Sequence, residues 1–217
     1  LWPAKSASTD ATGKVTLTGL AHGYYDLHAE KGDLVSDDEE GARAAMDAAL
    51  DEIARLEDVL SEWREGTEIS RINAAAGHEA VTVGPDTEEV VRAGLEVSEW
   101  SDGAFDLSWA ALRGMYLFQR GQEHVPTDAE IAARLPLVDY HDIVFDPVAH
   151  TVFLRRAGMA IGTGGIAKGY ALDRASAILI ERGFTQFMIF GGGQVSVHGM
   201  RGDRPWRVGI QHPRSAD

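Results

Sequence analysis

The stretch "AIGTGGIAKGYALDRA", residues 160–175, decides how this chain is read. Gly162, Thr163, Gly164 and Gly165 follow the apolar run "GMAI", and Lys168 opens a helical pattern. Gly162, Gly164 and Ala167 have the spacing G-x-G-x-x-A, a dinucleotide fingerprint when it lies between a strand and a helix. Two features argue against that reading. The fingerprint needs an acidic residue at the end of the next strand to hold a ribose, and "FMIFGGGQ" (187–194) has none. Too little chain also follows Gly162 to complete a nucleotide-binding half and a catalytic half. Two readings remain open from the residues alone. Glycines let backbone N–H groups approach an anion, with a helix N-terminus and Lys168 adding positive potential. Alternatively, the stretch is a close packing turn with an exposed lysine.

A second glycine break, "FGGGQ" (190–194), interrupts a strand pattern. It reads as a bulge, or as a place where a ligand or another backbone packs flat on the chain. Two such breaks in the same half of the chain point to one shared site.

Composition narrows the field. With 44% hydrophobic and 25% charged residues among 217, the chain can bury a real core. Its formal charge of −14 argues against a general nucleic-acid binder, while leaving room for a local basic spot that holds one anion. Zero cysteines exclude disulfides, thiolate nucleophiles and cysteine-ligated metals. No apolar run approaches the roughly 18 residues of a transmembrane helix. The opening "LWPAKSASTD" has neither Met nor a signal core, so the expectation is that any targeting segment has already been removed. None of the eight histidines has H-E-x-x-H spacing, which disfavours zinc.

Along the chain, residues 1–12 read as a lead-in, and 13–19 with 24–30 as a hairpin. Ser36 and Glu39 form an expected capping box for a long helix with apolar positions Ala42, Met46, Leu50, Ile53, Leu56, Leu60 and Trp63. A short helix at 67–73 with Gly77 as a stop, a strand at 80–83, and a helix to Trp100 boxed by Asp86 and Glu89 follow. A turn and apolar segment (101–118), a capped helix (126–135), a hairpin around Pro147, a strand "GMAIG", a helix ended by Gly183, and strands at 186–199 and 206–211 complete the reading. The expected class is α+β (mixed α/β): a mostly antiparallel sheet flanked by helices.

Four stretches together resemble the FAD:protein FMN transferase (ApbE-like) family: "LSEWREGTEISRINAAAG" (60–77), "SDGAFDLSWAAL" (101–112), "GIAKGYALDRA" (165–175) and "GGGQVSVHG" (191–199). The resemblance covers about residues 19–212, in the same order. It implies a single domain over 13–217, with residues 1–35 as the end of a separate β-domain in the alternative division. It also implies that the chain binds FAD and transfers the FMN half to a Thr or Ser hydroxyl of a target flavoprotein, with Mg²⁺. By position, Trp63 matches the aromatic residue against the flavin, and Ala104, Phe105 and Asp106 match a segment that contacts FAD. Lys168 matches a cofactor-contacting lysine, and the backbone carbonyl of Gly165 a Mg²⁺ ligand. Gly162 and His22 fall at further cofactor-facing positions; no catalytic residue is assigned. Family members are commonly exported and lipid-anchored, so a periplasmic or cell-envelope location is expected.

The chain also departs from the family. Where the family usually has Asp, this chain has Gly162; where Asp or Glu often follows the double glycine, it has Gln194; and His22 stands where Met is typical before Gly. The family's C-terminal third, with the side chains that complete the Mg²⁺ site, is expected to lie outside this sequence. A domain that holds FAD without catalysis is therefore a second reading, and an interaction domain without ligand a third.

Overall fold

The computed structural model describes residues 25–28, 39–210 and 214. The lead-in, the strand expected at 13–19, His22 and the capping residue Ser36 lie outside the described residues. In chain order the elements are β1 (Tyr25–His28), α1 (Glu39–Leu60), α2 (Glu68–Ala74), β2 (Val81–Thr82), α3 (Pro85–Trp100), α4 (Asp128–Arg134), β3 (Ile143–Asp146), β4 (Thr151–Leu154), α5 (Ala167–Glu181), β5 (Phe187–Gly191) and β6 (Gln194–His198), with a 3₁₀ turn at Leu107–Leu112. The class is α+β, as expected, with two three-stranded antiparallel sheets ordered β1-β5-β6 and β2-β4-β3. The chain forms two compact units, one of Leu1–Ile53 with Lys168–Asp217 and one of Ala54–Ala167.

In the unit of Ala54–Ala167, Ile69, Ile72, Val83, Val91, Leu107, Ile143, Val152, Leu154, Met159 and Ile161 form one buried apolar cluster. The helix spacing of Ile69 and Ile72, and the alternation of Val152 and Leu154, put these side chains on inward faces. Helix α2 is capped by the Thr67 hydroxyl, which accepts from Ser70 N at 3.0 Å. Gly94 on α3 packs so tightly that a Cβ there would lie 2.5 Å from Leu107 Cδ1.

In the other unit, β5 and β6 are joined at Gly192-Gly193, both with positive φ (55° and 96°), while Gly191 pairs with Gln194. Positive φ at both central positions is the two-residue turn that matches strand twist, so "GGG" is a tight hairpin turn rather than a bulge. Helix α5 buries Ala171, Leu172, Ala175 and Leu179. At its end Gly183 (φ 87°) lets Phe184 N donate to Leu179 O, as the stop at Gly183 requires.

Other expectations are corrected. No side chain caps α3: its N-cap is Gly84, and Asp86 instead pairs with Arg55 at 2.9 Å. Glu68 supplies the partner, accepting from Gly84 N at 2.9 Å. The segment "GMAIG" enters no ladder: Gly158 sits in a turn with φ 86°, and the Asn73 side chain takes the hydrogen bonds of Ile161. The described residues 206–210 likewise form no strand. Helix α1 stops at Leu60, leaving Trp63 beyond it and 72% exposed.

Candidate functional site

The glycine turn of the opening stretch is built into the unit of Ala54–Ala167 by four polar contacts. Asn73 donates from Nδ2 to Ile161 O (3.0 Å) and accepts from Ile161 N at Oδ1 (2.7 Å). Gly162 N donates to Leu107 O at 2.8 Å. The buried Thr163 hydroxyl donates to Leu60 O at 2.8 Å, satisfying a carbonyl that the end of α1 leaves open. Thr163 O in turn accepts from Ile166 N and Ala167 N, which starts α5. The turn thereby fixes the end of α1, and with it Ser61, Glu62 and Trp63.

Side chains crowd the turn from two sides. A Cβ on Gly162 would lie 2.6 Å from Glu62 Oε2 and 2.8 Å from Trp109 Nε1. One on Gly165 would lie 2.9 Å from Phe105 Cε2. Neither glycine has a positive φ, so space rather than backbone conformation requires them. The packing-turn reading left open by the sequence describes the turn at Gly162, while Gly164 and Gly165 lie exposed with backbone accessible.

Around Glu62 the chemistry is concentrated. Its side chain is only 5% exposed, and Arg113 Nη2 lies 2.8 Å from Oε1. This is an ionic contact without hydrogen-bond alignment: Nη2, Arg113 Nε and Glu62 Oε2 are all buried without a hydrogen-bond partner. The Arg113 guanidinium lies 4.3 Å from the centroid of Trp63 and 5.6 Å from that of Trp109. Such a cation over an indole face is favourable, and it braces Trp63, which is otherwise open to solvent.

Asp106 caps the 3₁₀ turn at Leu107–Leu112. Its Oδ1 accepts from Ser108 N (2.7 Å) and Ser108 Oγ (2.6 Å), and its Oδ2 from Tyr140 N (2.9 Å). The carboxylate therefore anchors the loop that presents Phe105 to Gly165. Ala104 is exposed, just after Gly103 (φ 77°). Of the positions singled out in the sequence, Trp63, Ala104, Phe105, Asp106, Gly162 and Gly165 belong to this unit. Lys168 is exposed in the other unit, where a Cβ on Gly192 would lie 3.9 Å from its Cδ. His22 lies outside the described residues.

Sequence reading did not single out Glu62, Arg113, Trp109 or Asn73. Glu62 adjoins Trp63 in "LSEW", but no periodicity marks a carboxylate whose ion pair with Arg113 spans 51 positions.

Among the described residues no group of three or more His, Asp or Glu side chains is placed to hold a metal ion, and no helix is long and apolar enough to cross a membrane. The chain matches the ApbE family over residues 12–217. It is 32% identical over 161 residues to a FAD:protein FMN transferase from Klebsiella pneumoniae, covering 74% of this chain and 49% of that protein. A FAD:protein FMN transferase from Vibrio cholerae is 26% identical over 179 residues, covering 81% and 52%. The crystal structure of the ApbE protein from Thermotoga maritima superposes with a TM-score of 0.77 at 28% identity, covering 98% of this chain and 65% of that one. This chain thus spans about half the length of the first two relatives.

Proposed function

The chain belongs to the ApbE family, and from that premise we propose that it binds FAD and acts as a flavin transferase toward a target flavoprotein. In the reaction, a Thr or Ser hydroxyl oxygen of the target bonds to the FMN phosphorus. The bond from that phosphorus to the bridging oxygen breaks, AMP leaves with the electron pair, and the hydroxyl proton passes to solvent. Phosphoryl-type transfer needs positioning and charge neutralisation more than covalent chemistry from the protein. The observation that carries the reading is the convergence of Glu62, Trp109 and Phe105 on the glycine turn that bears the family motif, with Trp63 beside them under the Arg113 that pairs with Glu62. Trp63 offers a planar face to an isoalloxazine ring. Phe105 packs beside Gly165, and the family resemblance assigns to Lys168 the positive charge for the pyrophosphate.

Mg²⁺ is part of the same proposal, since a divalent cation neutralises pyrophosphate charge. This chain's expected ligand is the Gly165 backbone carbonyl. Mg²⁺ takes near-octahedral oxygen coordination, and the described residues gather no cluster that would complete it. No step is therefore routed through the ion. The proposed location is the periplasm or cell envelope, supported by the family resemblance and checked by fractionating cells that express the gene.

The test is covalent flavinylation. Protein mixed with FAD, Mg²⁺ and a target flavoprotein domain should yield a fluorescent adduct on a denaturing gel, and Lys168→Ala should slow its formation by about tenfold or more, the scale of one lost charge contact. No adduct with the unaltered protein, or an unchanged rate in Lys168→Ala, would refute the respective part. Gly162, which leaves the turn without a carboxylate of its own, favours a second reading: a member that holds FAD without catalysis. Retained yellow FAD that is never split to FMN and AMP in Mg²⁺ would establish that alternative.

A further inference from the structure

The strongest unexplained feature of the molecule is the polar cluster of Glu62 and Arg113. Buried polar atoms are paired in folded proteins, and leaving a charged one unpaired is costly. Here Glu62 Oε2 and Arg113 Nε have no hydrogen-bond partner, and Arg113 Nη2 meets Glu62 Oε1 only as an ion pair without hydrogen-bond alignment. They are not scattered. Oε2 lies against Gly162, where only a glycine leaves it room. The guanidinium lies over Trp63, which stays 72% exposed, and near Trp109, which is 42% exposed. Two indole side chains open to solvent therefore flank the guanidinium.

An acceptor beside donors, next to an exposed flat aromatic face, complements one kind of ligand group. This is a planar nitrogen heterocycle whose edge carries an N–H donor beside an acceptor. Stacking would occupy the Trp63 face, Oε2 would accept the ring or amino N–H, and the guanidinium would donate to the neighbouring carbonyl or ring nitrogen. We propose that Glu62 and Arg113 form the edge-reading part of the nucleotide site, a role that rests on the FAD-binding reading above. Both rings of FAD carry such an edge: the isoalloxazine has an imide N–H between two carbonyls, and the adenine an amino group beside a ring nitrogen.

The experiment measures binding of FAD, FMN and ADP to the protein and to Glu62→Gln, together with melting temperature with and without each ligand. Losing a hydrogen bond to a charged group should weaken FAD binding by about tenfold or more. It should also remove most of the FAD-induced rise in melting temperature, while the ligand-free melting temperature stays the same or rises. A weakening confined to FMN assigns the edge to the isoalloxazine, and one confined to ADP assigns it to the adenine. Equal weakening of both overturns the proposal, because one edge cannot read two rings. So does unchanged affinity, or a fall in ligand-free melting temperature without a change in affinity. A second variant guards against misfolding of the first. Arg113→Lys keeps the positive charge but loses the forked donor, and it should weaken the same ligand that Glu62→Gln weakens. Unchanged affinity in Arg113→Lys overturns the proposal. Should the unaltered protein bind none of the three ligands, the flavin-transferase reading fails as well. If it binds them and Glu62→Gln binds equally well, only the present inference fails.

Discussion

Asn73 shows how much one side chain can determine without any sequence signature. Its carboxamide replaces a neighbouring strand for Ile161, pairing both backbone groups just before the glycine turn. Ile161 is fully buried, so water cannot take over if the amide is removed. Asn73→Ala should therefore destabilise the protein by about 2–4 kcal/mol, two buried backbone groups at roughly 1–2 kcal/mol each, read as a lower denaturation midpoint in urea. Asn73→Asp should not restore stability, because it keeps the acceptor for Ile161 N but sets a carboxylate against Ile161 O. Equal stability of Asn73→Ala and the parent protein would show that the 161–165 turn is held by its apolar neighbours alone. The sequence marks "GTGG" plainly, because glycine is chemically distinctive there. It does not mark Asn73, Glu62 or Arg113: Asn73 meets Ile161 88 positions away and Glu62 meets Arg113 51 positions away, contacts that follow from the fold rather than from spacing.

At the level of elements, helix termini separate what local chemistry determines from what tertiary contacts override. The reading of "PTDAEIAARL" holds: Thr127 Oγ1 accepts from Glu130 N, and Glu130 Oε2 accepts from Thr127 N at 2.7 Å. Asp86 and Glu89 carry the same signal at α3, yet Arg55 takes Asp86 and Glu68 takes the open Gly84 N–H. A capping box survives where the competing contact leaves one carboxylate oxygen to it: His124 lies 3.5 Å from Glu130 Oε1, while Oε2 serves the box. The Glu130 carboxyl is held below its usual range, first by the Thr127 backbone N–H and then by the Thr127 hydroxyl. Both bonds stabilise the charged form. A carboxyl depressed on folding contributes stability that is complete above its unfolded value and is lost as pH falls through the folded one. Stability should therefore decline on that acid limb, and Glu130→Gln should flatten the decline. NMR titration of the Glu130 carboxyl should give a midpoint below that of an unstructured peptide, moving up in Thr127→Ala. A midpoint at the peptide value would mean that the box does not persist in solution.

For the whole molecule, the α+β class and antiparallel pairing were legible because hairpins are punctuated locally: Asp146 accepts from Val148 N and Ala149 N, and Gly192-Gly193 turns β5 into β6. The division into two units was not legible. The boundary at Ile53/Ala54 falls within continuous helix α1 with no Pro or Gly beside it, and the boundary at Ala167/Lys168 falls at the start of α5, where the glycines of 162–169 mark a turn but not a change of unit. Net charge is another whole-molecule property, and it opposes the proposed ligand. A chain of formal charge −14 repels the pyrophosphate of FAD over distances set by ionic strength. That repulsion extends about 30 Å at 0.01 M salt and about 8 Å at 0.15 M. A direct contact between the nucleotide and a single cation, as proposed for Lys168, would act at shorter range and be screened much less. Association of FAD should therefore speed up several-fold between 0.01 and 0.15 M KCl, while dissociation changes little, as followed by stopped-flow flavin fluorescence. The sign makes the test decisive. An association rate that falls with added salt would mean that the local positive field of the site dominates the encounter, and that the acidic surface does not reach the path by which the nucleotide arrives.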